Sequence, residues 1–396
     1  MIEDIELRKL LDSRGNATVE AEVYTSLSVG RFSAPSGAST GEHEVVSFAG
    51  KSVDRSIENF KSKSEELIGM SIFDQRLIDA KLHEIDGTGN FSFIGGNTAI
   101  AVSIACSRCA ASTLEIPLYL YLGGRFARSL PLPLGNVLGG GKHAVGGTDI
   151  QEYMAVSMAP RFVDRAFGNA AVHGKVRELL QKRFPDAAIG KGDEGAWVAR
   201  LGNEEAISLV KDACDSLSDT LGFSIRPGID FAASELFDGS AYRYKEKKRS
   251  REEQIGFVAD LVDRYGLYYA EDPMDEEDFD GFAQLTAQVG SKALICGDDL
   301  FVTNKVRLIK GIELNAGNCV LIKPNQVGTL SDTADTVELA KKNGYSTVVS
   351  HRSGETEDNT IAHLAVAFSS VGIKCGTVGG ERISKLNELI RLEEEL

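Results

Sequence analysis

Apolar and polar residues alternate over residues 18–25, TVEAEVYT, and this period of two predicts a half-buried β-strand. A second strand is predicted over residues 28–34, close enough to pair with the first through a short turn. Apolar residues then recur at helical spacing in three segments: 52–68, 74–86 and 97–114. Strands followed by helices indicate a small α+β domain, which we place at residues 1–125.

From residue 126 onward the pattern changes to short apolar runs that each stop at polar residues, as in LYYAEDP, ALICGDD and NCVLIKPNQ. Helical patterns lie between several of these runs, at 203–221, 251–265 and 329–343. Alternating strands and helices are typical of a parallel sheet with crossover helices, and about 270 residues are close to a typical (β/α)8 barrel. We therefore predict an α/β protein, with a C-terminal (β/α)8-type (TIM-like) barrel over residues 126–396 behind the smaller N-terminal α+β domain.

The 396-residue chain carries 58 Asp and Glu residues against 43 Lys and Arg, a net charge of −15. This charge repels nucleic acid and anionic membranes, so we expect neither partner, and a phosphate-bearing substrate would need a local cluster of cations. No stretch reaches the ~18 apolar residues of a membrane span, and six scattered cysteines fit a reducing, cytoplasmic compartment. The C-x-x-C of Cys106 and Cys109 lies in an Ala-rich helical run, where two packed thiols are expected rather than a zinc or redox site.

In a barrel of this kind the reactive groups lie where strands end, at the C-terminal face. The predicted strand ends carry charged or hydrogen-bonding side chains: Glu152, Glu194, Asp230, Glu271, Asp298, Lys323, His351 with Arg352 and Ser353, and Lys374. From Glu194 to Lys374 the intervals are 23 to 41 residues, about one strand–helix unit each, so each residue is expected on the next strand around the ring. Any one of them alone is more simply a surface or helix-capping residue. The whole series favours a functional site.

Asp230, Glu271 and Asp298 would converge as three carboxylates, which repel one another unless a cation binds. Ligation by oxygen alone favours Mg²⁺ or Mn²⁺ over zinc, and the alternative is that these residues cap the helices that follow. Lys323 would face that metal, and burial beside other cations lowers the pKa of a lysine, so a neutral general base is predicted. A salt bridge from Lys323 to the carboxylates is an equally good interpretation of the residues alone.

Glu152 and Glu194 are expected to share a site in which one stays protonated and serves as a general acid. A base, an acid and a metal together predict β-elimination of water, in which a proton alpha to a carboxylate is removed and the acid assists loss of hydroxide. Arg352 and Ser353 open an acidic, helix-like segment. They predict either a Ser353 helix cap or a phosphate seat of guanidinium, hydroxyl and backbone N–H groups.

Beyond these local patterns, the chain resembles the enolase family over essentially its full length. The stretches that carry the resemblance are LDSRGNATVEAEV, PSGASTGEHE, DGTGN, HAVGGTDIQEYM, GDEG, GIDFAASE, EDPMDEEDFDGF, GDDLFVTN, LIKPNQVGTL, SHRSGETED, IKCG and KLNELIRLEEEL. The resemblance implies a hydro-lyase that reversibly dehydrates 2-phosphoglycerate to phosphoenolpyruvate in glycolysis and gluconeogenesis. It also implies two Mg²⁺ ions per site, the second arriving with substrate, and a homodimer or octamer. Enolase-superfamily sites are themselves a standard example of a Lys or His base with Mg²⁺, so the elimination chemistry above is not independent of this family.

The resemblance also implies roles for individual residues. Lys323 corresponds to the base that removes the C2 proton and Glu194 to the acid at the C3 hydroxyl, with Glu152 coupled to that acid. Ligands of the first Mg²⁺ correspond to Asp230, Glu271 and Asp298. Ser39 corresponds to a loop residue that joins the second Mg²⁺, with Gly37 and Gly41 as its hinges. Arg352 and Ser353 correspond to the residues that bind the substrate phosphate, and Lys374 corresponds to the residue that binds the substrate carboxylate. The other substrate-binding positions correspond to His143, Gln151, Glu152, Lys323 and His351.

Three stretches depart from the family pattern. GDEG is followed by Ala196 and Trp197 where the family has Gly and Phe, which adds bulk beside the acid. TVGGER is about one residue shorter than its Arg-bearing counterpart, and the segment after HEVVSF lacks the usual run of acidic and basic residues. These departures affect loop geometry, rate and subunit packing, while every catalytic counterpart is present.

Other classes fit less well. Gly37–Gly41, GASTG, formally matches the G-x-S-x-G of α/β-hydrolases, but no helix is predicted directly after it. A racemase-like member of the same superfamily would use a K-x-K base, and the matching KEK at 245–247 lies in a charged run typical of a surface. A non-catalytic protein on the same fold would be favoured by loss of Lys323, Glu194 or the metal carboxylates, and all are present.

Overall fold

The computed structural model describes residues 1–37, 41–144 and 146–396, and of His143 the backbone alone. The strands are β1 (Asp4–Leu11), β2 (Ala17–Tyr24), β3 (Val29–Ser33), β4 (Leu132–Gly139), β5 (Glu152–Ser157), β6 (Gly190–Lys191), β7 (Trp197–Val198), β8 (Ile225–Asp230), β9 (Tyr242–Arg243), β10 (Lys248–Arg249), β11 (Tyr269–Glu271), β12 (Leu294–Gly297), β13 (Cys319–Ile322), β14 (Ser346–Ser350) and β15 (Gly372–Lys374). The helices are α1 (Val53–Lys61), α2 (Gln75–Asp86), α3 (Gly96–Thr113), α4 (Leu118–Gly123), α5 (Phe162–Arg183), α6 (Asn203–Leu221), α7 (Arg251–Tyr265), α8 (Phe279–Val289), α9 (Lys305–Leu314), α10 (Leu330–Lys342), α11 (Thr360–Ala367) and α12 (Gly380–Glu395).

The N-terminal sheet is an antiparallel meander in the order β1-β2-β3. The predicted strands at 18–25 and 28–34 correspond to β2 and β3, whereas β1 was not predicted because charged residues interrupt its short alternation of Ile5 and Leu7. The half-buried interpretation of β2 is wrong, since Glu20 and Glu22 are buried as well. Arg8 pairs with both carboxylates, donating to Glu20 Oε1 at 2.7 Å, and so compensates the burial of their charge.

Helix α3 packs against β2 and β3. The close approach of α3 to β3 requires glycine at position 30, because a Cβ there would lie 2.1 Å from the carbonyl oxygen of Ala105. Cys106 and Cys109 are buried in the same helix with free thiols, in agreement with two packed thiols. Along the described residues no single helix is long and apolar enough to cross a membrane; α3 passes such a test only together with residues 118–126, and that pair is bent by 98°.

The barrel is a closed ring of eight strands: β4, β5, β8, β11, β12, β13, β14 and β15, with β15 pairing to β4. Seven of them run parallel, but β5 runs antiparallel to both of its neighbours, which corrects the prediction of a purely parallel sheet. The described part of the connection from β4 to β5 contains one 3-10 turn, Gly141–His143, and no α-helix, whereas a parallel return normally requires a helical crossover. As a result the first residue of β5, Glu152, lies opposite Asp230, the last residue of β8.

Helices α6, α7 and α10 match their predicted segments to within one residue at each end. Their starts are specified locally, as in α7, where Ser250 and Glu253 form a capping box. The barrel also contains an apolar cluster formed by Leu134, Met154, Val156, Tyr269, Cys296, Cys319, Leu321 and Val348. Because inward positions along the strands are filled by these side chains, the charged groups collect at the strand ends.

Candidate active site

The strand ends of the barrel bring most of the predicted residues to one rim. Asp230, Glu271 and Lys374 are the last residues of β8, β11 and β15. Asp298, Lys323 and His351 come directly after β12, β13 and β14. The cavity at this rim is lined by Gly37, Glu44, Gln151, Glu152, Glu194, Asp230, Ala232, Glu235, Asp272, Asp298, Asp299, Lys323, Ser350, His351, Arg352, Ser353 and Lys374.

Two acidic residues reach this rim by routes that the sequence did not predict. Glu152 lies at the amino end of its strand, and only the reversed direction of β5 places it beside the carboxyl ends of the other strands. Glu194 lies on no barrel strand, but in the turn between β6 and β7, a hairpin whose Trp197 pairs with Leu138 of β4. The turn needs Gly195, which has φ +79° and where a Cβ would lie 2.5 Å from the carbonyl oxygen of Val378.

Lys374 joins three acidic side chains. Its Nζ lies 2.7 Å from Glu271 Oε1, 2.9 Å from Asp230 Oδ2 and 3.3 Å from Glu152 Oε1. Burial alone would lower the pKa of Lys374, but these carboxylates outweigh burial and raise the pKa well above its ordinary value. Burial also raises the pKa of Glu271, and the neighbouring charge of Asp230 adds to the effect. The acidic groups at this end of the site therefore depend on a cation.

Lys323 forms an ion pair with Asp298. Burial acts to lower the pKa of Lys323, but the charge of Asp298 outweighs it, and the net direction is upward. The salt bridge that the residues equally allowed is therefore formed, whereas the predicted lowering of the Lys323 pKa requires a bound metal ion and stays a prediction. Gln326 Nε2 donates to the other oxygen of Asp298 at 3.0 Å, and Thr303 Oγ1 accepts from the backbone N–H of Lys323 at 2.9 Å. These contacts fix both members of the pair.

Two further carboxylates at the rim were not singled out from the sequence. Oxygens of Asp272, Asp298 and Asp299 all lie within 4.8 Å of one another. Asp272 accepts the backbone N–H groups of the other two residues, at 2.9 and 2.8 Å. Burial, followed by the charge of Asp298, raises the pKa of Asp299 to about 8. The doublets Glu-Asp at 271–272 and Asp-Asp at 298–299 are the sequence signal for this cluster.

The charge balance of the cavity fits a hard divalent cation. Its described lining contains eight carboxylates and three basic side chains, those of Lys323, Arg352 and Lys374. Oxygen-rich, acidic donor sets without cysteine are the type that Mg²⁺ prefers. Of the predicted ligands, Glu271 interacts electrostatically with both Asp230 and Asp298, whereas Ser39 lies outside the described residues.

Opposite these lysines, Glu194 lies beside His351. Glu194 Oε2 accepts from Asn136 Nδ2 at 3.3 Å and lies 3.4 Å from His351 Nε2. Burial lowers the pKa of His351 to about 4, so its imidazole is neutral near pH 7. Arg382 donates to His351 Nδ1 at 2.7 Å. This arginine was not recognised in the sequence, where TVGGER stood out only as a departure from a family pattern.

Arg352 lies where a phosphate seat was predicted, and a carboxylate already contacts it. Glu44, from the N-terminal domain, accepts from both terminal nitrogens of Arg352 at 3.0 Å. Asn325 Oδ1 accepts from the same guanidinium at 2.9 Å. Ser36 and Gly354 exchange backbone hydrogen bonds of 2.7 and 2.8 Å, which attach the N-terminal domain beside this seat. The site therefore includes both domains.

The remaining predicted positions divide into two groups. Gln151 is buried at the rim and its Nε2 donates to Asp230 Oδ2 at 3.2 Å, and Ser353 lines the cavity next to Arg352. The side chain of His143 lies outside the described residues. Trp197, the bulky departure after GDEG, packs against α5, where its Nε1 donates to the carbonyl oxygen of His173 at 2.9 Å. Its bulk is accommodated there rather than in the described lining of the cavity.

Comparison with known proteins agrees with this architecture. A family model described as "Enolase, C-terminal TIM barrel domain" matches residues 127–396, and one described as "Enolase, N-terminal domain" matches residues 2–122. Enolase of Archaeoglobus fulgidus is 54% identical over 395 residues, covering 100% of this chain and 97% of the relative. Enolases of Methanothermobacter thermautotrophicus and Natronomonas pharaonis are each 52% identical, over 100% and 99% of this chain and 97% and 99% of the relatives. With both domains matched and more than half of its residues shared along its length, the chain belongs to the enolase family.

Proposed function

We propose that the chain catalyses the reversible dehydration of 2-phospho-D-glycerate to phosphoenolpyruvate, the enolase step of glycolysis and gluconeogenesis. The observation that carries the proposal is the lining of one cavity, where the buried Lys374, the largely buried Lys323 and the buried Glu194 lie together with Arg352. A trianionic substrate with an acidic C–H bond requires such a set: cations for its carboxylate and phosphate, a base and an acid.

In the proposed reaction, Arg352 and Ser353 bind the phosphate and Lys374 binds the substrate carboxylate. Lys323, in its neutral form, removes the C2 proton, and the electron pair of that C–H bond moves into the carboxylate. Glu194 then donates a proton to the C3 hydroxyl, so that the C3–O bond breaks and water leaves as the C2–C3 double bond forms. We assign Glu152, with Gln151 and His143, to the substrate side of the site, with Glu152 coupled to the acid. His351 contributes a neutral imidazole beside Glu194.

We propose that the acidic donor set holds two Mg²⁺ ions, the second arriving with substrate. Asp230, Glu271 and Asp298 would hold the first ion and Ser39 would join the second. When bound, these ions supply positive charge that stabilises the doubly negative carboxylate formed on proton removal. Asp272 positions the backbone of the Asp298 loop through its two accepted hydrogen bonds.

The proposal is tested by following the ultraviolet absorbance of phosphoenolpyruvate formed from 2-phosphoglycerate with Mg²⁺. Lys323→Ala is expected to reduce turnover by about 10²–10⁴-fold, the contribution of a positioned general base. Lys305→Ala is the matched control, since that lysine is 55% exposed and lies 3.8 Å from Asp335 on the outside of the barrel. No product from the unmodified protein would refute the function, and near-normal turnover in Lys323→Ala would refute the base assignment.

We further propose a cytoplasmic homodimer or octamer that acts on small molecules, with domains at 1–125 and 126–396. The support is the family resemblance for the assembly, the six scattered cysteines for the compartment and the change of pattern near residue 126 for the domain boundary. Sedimentation velocity measures the assembly, and a monomer at micromolar concentration would contradict it.

A further inference from the structure

Arg382 is a fully buried arginine in the first turn of α12, and its contacts are unusual for a charged residue. Its Nη1 donates to His351 Nδ1 at 2.7 Å and to the carbonyl oxygen of Arg352 at 2.5 Å. Its Nη2 donates to the carbonyl oxygens of Ser353 at 2.8 Å and Asp193 at 3.3 Å. One planar guanidinium thus joins the segment before Glu194, the phosphate-seat segment and the ring of His351.

The contact with His351 fixes the position of the ring proton. A guanidinium only donates hydrogen bonds, so Nδ1 of His351 must be the unprotonated, accepting nitrogen. The backbone N–H of Gly376 also points at Nδ1, at 3.3 Å. In the neutral ring the proton is therefore on Nε2, the nitrogen that lies 3.4 Å from Glu194 Oε2. That oxygen also accepts from Asn136, so a proton carried by Glu194 belongs on its other oxygen.

We propose that Arg382 is a positioning residue that fixes His351 as its Nε2–H tautomer and so holds the carboxyl group of Glu194 in one orientation for proton donation. The orienting role rests on the function proposed above, whereas the tautomer does not. The same guanidinium holds the backbone of the phosphate seat through two carbonyl oxygens, and it couples the acid side of the cavity to the anion-binding side. Lysine cannot replace this geometry, because an ammonium lacks the planar fork.

The charged groups that face His351 support neutrality of the ring. They are Glu194 from the β6–β7 turn, Arg382 from α12, and Glu355 from its own segment. Glu355 is engaged elsewhere, since its Oε2 lies 2.9 Å from Lys385 Nζ and its Oε1 accepts from the backbone N–H of Arg352 at 3.0 Å. The lowered pKa of His351, about 4, agrees with a ring that accepts at Nδ1 and stays neutral near pH 7.

The decisive measurement is the ¹⁵N NMR spectrum of the unmodified protein labelled at histidine, at pH 7. The chain has six histidines, and the His351 signals are assigned by their loss in His351→Gln. We expect an unprotonated Nδ1 and a protonated Nε2. The opposite tautomer, a mixture of the two or an imidazolium would overturn the proposal, and this result needs neither an Arg382 variant nor catalysis.

Variants then test the consequence for the acid. Arg382→Lys and Arg382→Gln are expected to mix the tautomers of His351 and to lower kcat by on the order of 10–100-fold, the usual effect of losing such an outer contact. Arg264→Gln, which removes an exposed arginine of α7 that pairs with Glu204 and Asp260, is the matched control and should change neither. If both Arg382 variants keep the tautomer and kcat of the unmodified protein, the positioning role is refuted. If the unmodified protein has the expected tautomer and no turnover, the proposed function fails and the tautomer assignment stands.

Discussion

Lys374 offers the sharpest test of the electrostatics of this site. Its ammonium group contacts three carboxylates at 2.7 to 3.3 Å: those of Glu271, Asp230 and Glu152. None of these four side chains is more than 5% exposed. Lys374→Ala therefore leaves several negative charges together in a region that has little exposure to water.

The expected cost follows from two bounds. Removing one partner of a buried ion pair costs ~3–5 kcal/mol, because the remaining charge is uncompensated. A carboxylate left without its partner can instead bind a proton. At pH 7, about three pH units above an ordinary pKa near 4, this protonation costs about 1.4 kcal/mol per unit, or about 4 kcal/mol in total. We therefore expect Lys374→Ala to lower the free energy of unfolding by ~3–5 kcal/mol. Domains have ~5–15 kcal/mol in total, so the variant still folds unless the unmodified protein lies at the lower end of that range.

The assay is urea unfolding followed by far-ultraviolet circular dichroism in EDTA, at pH 7.5 and 5.5. In the variant the buried carboxylates have folded-state pKa values above their unfolded ones, so the folded state binds more protons and gains relative stability as the pH falls. The loss should thus be smaller at pH 5.5. Lys292→Ala is the control, because its bridge to Asp263 joins side chains that are 55% and 52% exposed and is worth less than ~1 kcal/mol. Equal losses in the two variants, or a larger loss at pH 5.5, would refute the reasoning.

Three further predictions concern metal, pH and the phosphate seat. EDTA should abolish phosphoenolpyruvate formation and added Mg²⁺ should restore it; activity that persists in EDTA would contradict the metal requirement. Because the pKa of His351 is about 4 when folded and ordinarily 6.5, the unfolded chain binds a proton that the folded protein does not, and stability falls by about 3 kcal/mol as the pH drops through that interval. His351→Gln should flatten this part of the urea-measured profile, and parallel profiles would be evidence against it. Glu44→Gln removes a negative charge at Arg352, so inorganic phosphate should inhibit about tenfold more tightly, a factor worth about 1.4 kcal/mol; an inhibition constant equal to that of the exposed control Glu42→Gln would oppose this.

The part of the site that follows strand periodicity could be predicted from sequence. Asp230, Glu271 and Lys374 each end an apolar run, and parallel strands bring their carboxyl ends to one rim. The bounds of helices α6, α7 and α10 could be predicted as well, because the amphipathic spacing and the capping residues indicate the same helix ends. The family resemblance added the reaction and the residue roles, which no periodicity gives.

What the sequence left out depends on contacts between distant segments. Glu194 lies in a hairpin whose strands have two residues each, too short for any period to show. The reversal of β5, which places Glu152, goes with a connection whose described residues form no α-helix. The buried Arg382 looks like an exposed residue at a helix start, and only its enclosure by the segments of Asp193 and His351 makes it functional. The upward pKa shift of Lys323 arises in the same way, from a partner 25 positions away.

Trp197 is the only tryptophan in the chain, and it lies on the hairpin whose turn carries Glu194. Its indole contacts the ring of His173, with the Lys191 ammonium 4.9 Å and the Arg177 guanidinium 5.4 Å from its centre. Intrinsic fluorescence excited at the red edge of protein absorption therefore comes from this hairpin alone. Its wavelength and intensity provide a label-free optical readout of where the segment that carries Glu194 sits, in any buffer and with any ligand.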